Sequence, residues 1–373
     1  MKYIILLEVR QMSSTWGNNI KISIFGESHG IGIGVVIDGL PAGEKIDFDE
    51  IQFQMNRRAP GNDSTSTPRK EEDMPEVCSG ILGETTTGAP LCAVIENANT
   101  RSVDYDKLQR LPRPGHADYT GAVRYNGYND VRGGGHFSGR LTAPLTFAGA
   151  VCRQILARRG VTVGGHIYAI GNMYDDPFDP VEVNAEQLLG LQEKFFALNR
   201  PEAERGMRRR IDEARSERDS VGGIVEIAAV GVPAGVGSPM FGGVENVLSS
   251  IVFGVPAVKG VEFGAGFDVA RMRGSESNDP FTIVGNRVVT TRNVSGGILG
   301  GITDGMPIIL RAAVKPTPSI SMEQHTVDLK EQRDAILTVG GRHDPCIVPR
   351  ALPAIESAVA IGLADMMKEV GKL

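Results

Sequence analysis

GILGETTTGAP (residues 80–90) returns as GILGGITDGMP (297–307), with Gly, Ile, Leu, Gly, Thr, Gly and Pro at the same relative positions. Each copy runs into an apolar, β-branched stretch, LCAVIE (91–96) in one case and PIILRAAV (307–314) in the other. Each is followed farther along by an Arg/His/Asp cluster, RPGHAD (113–118) and GRHDP (341–345). A duplicated unit of this kind predicts two halves related by a pseudo-twofold axis, with the two clusters facing one shared site. No long low-complexity linker separates the copies, so a single domain over 12–373 is expected rather than two modules on a tether.

Outward from the repeat, glycine (47) and proline (21) fall between short β-branched runs, which predicts many short strands and a few real helices. Further strands are expected at 21–25, 34–38, 223–232 and 282–291. Helices are expected at 49–58, 142–159, 185–198, 205–218, 244–253, 328–337 and 352–369. The charge-dense stretch 202–220 reads as a solvated helix face, with Glu204 and Arg208 in the favourable i,i+4 order.

A chain of 373 residues with 41% hydrophobic content can bury a sizeable core unaided. Cys78, Cys92, Cys152 and Cys346 form no C-x-x-C pair, so neither a zinc site nor a disulfide framework is signalled, and a reducing cytoplasm is the expected setting. The net charge of −6 argues against a broad basic face for nucleic acid. The apolar run at 3–7 is too short for a membrane span or a secretory leader. Residues 1–11 read as an extension ahead of a start at Met12, because recognisable strand alternation begins only near Asn18.

GESHG (26–30) fits the G-x-S-x-G pattern of a nucleophile elbow with Ser28 as the nucleophile. An elbow needs a strand before the serine and a helix after it. KISIF supplies the strand, but IGIGVVIDG follows, where Gly32, Gly34 and Gly39 deny a helix. No G-x-G-x-x-G, P-loop or H-E-x-x-H occurs.

What remains is a set of polar clusters set in glycine. They are Glu27, Ser28 and His29; Arg57 and Arg58; Arg113 and His116; Arg132, His136, Ser138 and Arg140; Lys315; and Arg342, His343 and Asp344. Arginines that grip phosphate or carboxylate, glycines that admit backbone N–H groups to an anion, and histidines that titrate near neutrality suit chemistry on a phosphorylated acid. Each cluster also has a plain reading. Gly133 to Gly135 form a turn, Lys315 is a turn residue or a phosphate ligand, and Arg57 and Arg58 complement a helix dipole. His166 and His325 have no ionisable neighbour of note in the sequence and read as structural.

Taken together, GESHGIGIGVVIDGLPAG, RPGHADYT, GGGHFSGR, ILGGITDGMP with KPTPSI, and GRHDPCIVPRALPAIESA resemble the chorismate synthase family, in order and over roughly residues 18–370. The resemblance implies an α+β fold, a β-α-β sandwich with helices between two antiparallel sheets, assembled as a homotetramer. It implies a lyase that removes phosphate from C3 and a proton from C6 of 5-enolpyruvylshikimate 3-phosphate, giving chorismate by 1,4-anti elimination in the shikimate pathway. Reduced FMN (FMNH2) is required without net redox change, and NADPH enters only as a possible reductant. Neither nucleic acid nor membrane is an expected partner.

Carried over residue by residue, the resemblance puts His29 at the departing phosphate, His116 near N1 of the flavin and Asp344 near its N5. Ser28 supports His29, and Ser138 is a second functional serine. Substrate anions fall to Arg58, Arg69, Arg113, Arg140 and Arg342. Flavin contacts fall to His136, Phe137, Ser138, Pro256, Ala257, Gly300, Lys315, Pro316, Thr317, Pro318, Ser319 and Arg342. This chain departs from the family at His136 and Phe137, where Arg and Ser are common, and at Pro256, where Asn is common. Arg69 is the expected substitute for an arginine that many members carry just after APG.

Overall fold

The computed structural model describes residues 14–61, 63, 73–97, 109–340 and 343–373. The expected 1–11 extension, Arg69 and Arg342 lie outside that set. The described chain is a mixed α+β fold built on two five-stranded antiparallel sheets. The first contains β1 (Thr15–Trp16), β2 (Lys21–Gly26), β3 (Gly32–Asp38), β4 (Pro75–Ser79) and β7 (Leu91–Glu96) in the order β1-β2-β3-β7-β4. Between β4 and β7 lies a small hairpin, β5 (Ile81–Leu82) and β6 (Thr85–Thr86). The second sheet contains β8 (Thr162–Ile170), β9 (Met173–Tyr174), β10 (Gly223–Val230), β11 (Val258–Phe263) and β16 (Ile308–Val314) in the order β9-β8-β10-β16-β11.

Strand periodicity explains the inner faces. Ile33, Val35 and Ile37 of β3 and Leu91, Ala93 and Ile95 of β7 alternate inward and are all buried. The helices are α1 (Phe48–Arg58), α2 (Asp118–Arg124), α3 (Thr142–Ala157), α4 (Ala185–Gln192), α5 (Ala203–Ser216), α6 (Val244–Phe253) and α7 (Val348–Glu369). α3 and α7 form the centre of the core. α3 touches β3 and β7 of the first sheet and β8 of the second, while α7 lies along β8 and β10. The two helices cross where a Cβ on Gly149 would stand 2.1 Å from the Ser357 Cβ, so only glycine allows that approach. β8 is covered on both faces through adjacent glycines: a Cβ on Gly164 would press on Leu188 of α4, and one on Gly165 on Leu352 of α7. Asp365, buried on α7, accepts backbone N–H bonds from Asn19 (2.5 Å) and Ile20 (2.7 Å), tying the start of the first sheet to the last helix.

The duplicated segment folds alike in both places. At 297–307 it makes the hairpin β14 (Ile298–Leu299) and β15 (Ile302–Thr303) and runs into β16, as 80–90 makes β5–β6 and runs into β7. Each hairpin docks on a Pro-Ala-Gly turn that follows a central strand. Thr86 Oγ1 donates to Pro41 O (2.7 Å) and accepts from Glu44 N (2.9 Å); Thr303 Oγ1 donates to Pro233 O (2.7 Å) and accepts from Val236 N (2.9 Å). Gly43 N–H donates to Thr86 O and Gly235 N–H to Thr303 O, both at 2.8 Å.

Three element expectations are corrected. Residues 328–337 are not helical: they belong to the hairpin β17 (Glu323–Asp328) and β18 (Arg333–Thr338). The Asp328 carboxylate accepts the N–H groups of Lys330 and Glu331 and closes a turn, with Gln332 at φ 51°, and this local closure overrides a helix-forming composition. The run at 282–291 is a hairpin, β12 (Phe281–Val284) and β13 (Arg287–Thr290), turning at Gly285 with φ 62°. The helix expected over 185–198 stops at Gln192, and Ala197 O instead accepts the Ile167 N–H of β8.

Candidate functional site

The site is organised by the triple glycine 133–135, whose residues all have positive φ (57°, 89° and 54°). These conformations bring bare backbone against two imidazoles. A Cβ on Gly133 would lie 2.0 Å from His29 Cε1, and one on Gly134 would lie 3.2 Å from His116 Nε2 and 3.6 Å from the Ser138 Cβ. Successive Cα atoms are about 3.8 Å apart, so both rings border one short piece of chain.

GESHG is a turn from β2 directly into β3, so no helix follows Ser28 and the elbow reading fails. Ser28 is buried, its hydroxyl lies 3.1 Å from the carbonyls of Arg132 and Gly133, to either of which it donates, and its Oγ is 3.2 Å from His29 Nδ1. The hydroxyl proton therefore goes to backbone, and the oxygen can accept from Nδ1–H of His29.

Behind this turn lies a continuous polar chain. Asn97 donates to Glu27 O (2.9 Å) and Gly30 O (3.0 Å) and accepts from Arg140 Nε (3.1 Å). Arg140 Nη1 and Arg58 Nη1 (2.9 Å) both bond the Asp73 carboxylate. All three of these charged side chains are buried. Arg350 Nε donates to Arg58 O (3.1 Å), and its Nη1 bonds Asp344 (2.5 Å). Arg57, next in sequence to Arg58, points the other way, into an ion-pair group with Glu356 and Arg153.

The second imidazole sits in its own frame. His116 Nδ1 lies 2.6 Å from Asp118 Oδ1, and Arg113 grips the same carboxylate through Nε (2.7 Å) and Nη2 (2.8 Å). Burial pushes the Asp118 carboxyl up, but the bonds from Arg113 and His116 outweigh it and hold the group well below the usual carboxylate range. A hydrogen bond from Nδ1–H to Asp118 leaves His116 Nε2 facing Gly134. Arg113 Nη1 also bonds Ser319 Oγ (3.0 Å), and Lys315 Nζ bonds Gly115 O, so RPGHAD and KPTPS meet. Burial lowers the His343 pKa, and the Arg113 charge adds to the effect.

Other expected residues have particular places. His136 is engaged at both ring nitrogens, by Gly26 O (2.8 Å) and Ser14 Oγ (2.6 Å), and Phe137 packs edge-on against Tyr125. Gly300 sits in the β14–β15 turn beside the start of α6, whereas Pro256 and Ala257 follow its end, about 15 Å away at the rise of a helix. Sequence reading missed Asn97, Asp73, Asp118 and Arg350. Only Asp118 and Arg350 stood inside quoted motifs; nothing local marks Asp73, which acts through a contact 67 residues along the chain at Arg140.

His166 needs correction: its neighbours in space are ionisable. Fully buried on β8, it donates to Asp175 (2.9 Å) and Glu226 (2.9 Å), and Glu226 also accepts from Arg311 Nε (2.8 Å). Burial alone would lower its pKa, but the two carboxylates outweigh burial and raise it.

Two imidazoles against one glycine loop, with carboxylate-held arginines beside them, define an enzyme of the proton-transferring, anion-handling kind. A family model described as chorismate synthase matches residues 20–368. A chorismate synthase of Dehalococcoides mccartyi (strain ATCC BAA-2100) is 46% identical over 362 residues, covering 96% of this chain and 98% of that protein. One of Pyrococcus abyssi is 47% identical over 349 residues, covering 94% and 96%. A crystal structure of chorismate synthase superposes with a TM-score of 0.75 at 28% identity, covering 95% of this chain and 94% of that one. The chain belongs to the chorismate synthase family. It is a lyase that converts 5-enolpyruvylshikimate 3-phosphate to chorismate, and the family implies dependence on reduced FMN.

The residues present suit a phosphate-bearing flavin. Burial, and then the Lys259 charge, lower the pKa of Lys315. Thr317 Oγ1 is buried without a hydrogen-bond partner among the described residues. Ala257 holds φ 76°, and its carbonyl accepts the Lys315 N–H (2.9 Å), joining the two segments. Among the described residues no His/Cys/Asp/Glu group suits a metal.

Proposed function

We propose that His29 Nε2 gives its proton to the departing phosphate, with Ser28 fixing the ring through Nδ1. A phosphate dianion leaves poorly unless protonated or ion-paired, and general acid catalysis meets that need. Arg58, Arg113 and Arg140, with Arg69 and Arg342, take the anionic groups of the substrate. His116, with Asp118 behind it, would stabilise the negative charge of the reduced flavin near its N1, and Ser138 is a second functional serine. Asp344, held through Oδ2 by Arg350, accepts a proton at Oδ1.

His136, Phe137, Ser138, Pro256, Ala257, Gly300, the 315–319 loop and Arg342 would hold FMN, with Lys315 and Lys259 at its phosphate. When bound, reduced FMN supplies electron density to the substrate without net redox change. NADPH, if used at all, enters only as a reductant. The subunit is read as one domain over 12–373 with helices layered between two sheets and halves related by a pseudo-twofold axis; the matched threonine turns support that reading. A cytoplasmic homotetramer without nucleic-acid or membrane partners completes it, and among the described residues no helix is long and apolar enough to cross a membrane.

The carrying observation is the pair of imidazoles against Gly133 and Gly134. Anaerobic assays with dithionite-reduced FMN test it. His29→Ala and His116→Ala are each expected to lower kcat by about tenfold or more. Unchanged turnover in both removes these roles.

A further inference from the structure

Edge strand β4 carries a bulge where it pairs with β7: Val77 faces Ala93 and Ser79 faces Cys92, so Cys78 is the extra residue beside Cys92. Two residues opposite one on neighbouring strands lie within reach of a cross-link, because adjacent strands run about 4.8 Å apart and disulfides span Cα separations of about 4.4–6.8 Å. Cys92 points away from the core, between the buried Leu91 and Ala93, and is half-buried; Cys78 is exposed. Their thiols interact: burial raises the Cys92 pKa and the Cys78 thiol raises it further. Cys152 and Cys346, by contrast, are buried, with burial pushing both thiols up to about 12.

We propose that Cys78 and Cys92 are a redox-modification site that forms a reversible disulfide stapling edge strand β4 to β7. The oxidant is a low-molecular-weight disulfide. The exposed Cys78 thiolate attacks one of its sulfurs, forming a mixed disulfide and expelling one thiol. The Cys92 thiolate then attacks Cys78 Sγ, forming the intrachain bond and expelling the second thiol. Two protein thiols are oxidised, one small disulfide is reduced to two thiols, and the two protons pass to the leaving thiolates. β4 starts two residues after Asp73, so the bond would anchor the strand next to the carboxylate shared by Arg58 and Arg140.

The test treats native, reduced protein with excess oxidised glutathione and reads intact mass and disulfide-mapped peptides. The expected result is loss of two hydrogen atoms per chain, a single cross-linked peptide pair joining Cys78 to Cys92, and reversal by dithiothreitol. In Cys78→Ser, Cys92 is expected to stay free of any intrachain link. A stable glutathione adduct on Cys78 with Cys92 still free, a link that includes Cys152 or Cys346, or no reaction in the native protein would each overturn the proposal.

Discussion

Two buried charge clusters among the described residues, one beside the first sheet and one on the second, are built with opposite signs at the centre. Beside the first sheet, one carboxylate, Asp73, serves two guanidiniums, Arg58 and Arg140. On the second, one imidazole, His166, serves two carboxylates, Asp175 and Glu226. Each lies by a five-stranded antiparallel sheet flanked by a threonine-anchored turn, at Thr86 and at Thr303. The difference lies in where the clusters lead. Asp73 is linked through Arg140 and Asn97 to the turn that bears His29, whereas the His166 cluster ends in Arg311 and Glu262. His29 sits in a turn at the glycine loop, while His166, in a strand covered on both faces, is consumed by its buried neighbours.

Removing the central group should expose this difference. Asp73→Ala leaves two buried guanidiniums without their shared partner and is expected to cost about 3–5 kcal/mol in urea unfolding. His166→Ala strands two buried carboxylates and is expected to cost about 3 kcal/mol, while kcat stays near wild type. Equal losses of turnover in both variants would erase the distinction between them.

The pH dependence sharpens it. His166 has a raised folded pKa, so its contribution is full below the unfolded value of about 6.5 and is lost as pH rises through the raised folded value. Burial raises the pKa of Asp175 and Glu226, but hydrogen bonds, His166 first among them, outweigh it and depress both; their contribution is present above about pH 4 and is lost as pH falls through the depressed values. The stability gap between wild type and His166→Ala is therefore expected to narrow on the alkaline side, read as urea midpoints across pH.

Gly133→Ala adds a methyl group against the His29 ring at φ 57° and is expected to lower kcat about 100-fold through a misplaced imidazole, with the far-UV spectrum unchanged. The smallest effect tests the shared frame. Thr86→Val and Thr303→Val each remove the same two hydrogen bonds and are expected to cost about 1–2 kcal/mol apiece, matched within about 0.5 kcal/mol. A clear mismatch between them would mean that the two turns do different work.

Much of this was legible in the sequence where the signal is local. α6 spans the expected 244–253, and β7 the expected 91–96, because helix and strand periods were uninterrupted there. The β17–β18 hairpin was not legible, since its turn depends on one aspartate side chain rather than on glycine or proline. Among site residues, His29, His116 and the arginines stood out as charges set in glycine. Asp73 and Asn97 did not, because each acts only through partners brought near by folding, and His166 looked isolated because its carboxylates arrive from β10 and from beyond β9.

The bonds from Asn18, Asn19 and Ile20 to Asp365 set a timetable for synthesis. These backbone groups leave the ribosome 345 residues before the carboxylate that satisfies them, counted from Ile20 to Asp365. The first sheet can pair its strands early and α3 can cover it, yet its leading edge, and the side of α3 that meets α7, stay uncovered until α7 has emerged. Completion of the first half alone therefore leaves the subunit open, and closure waits for α7.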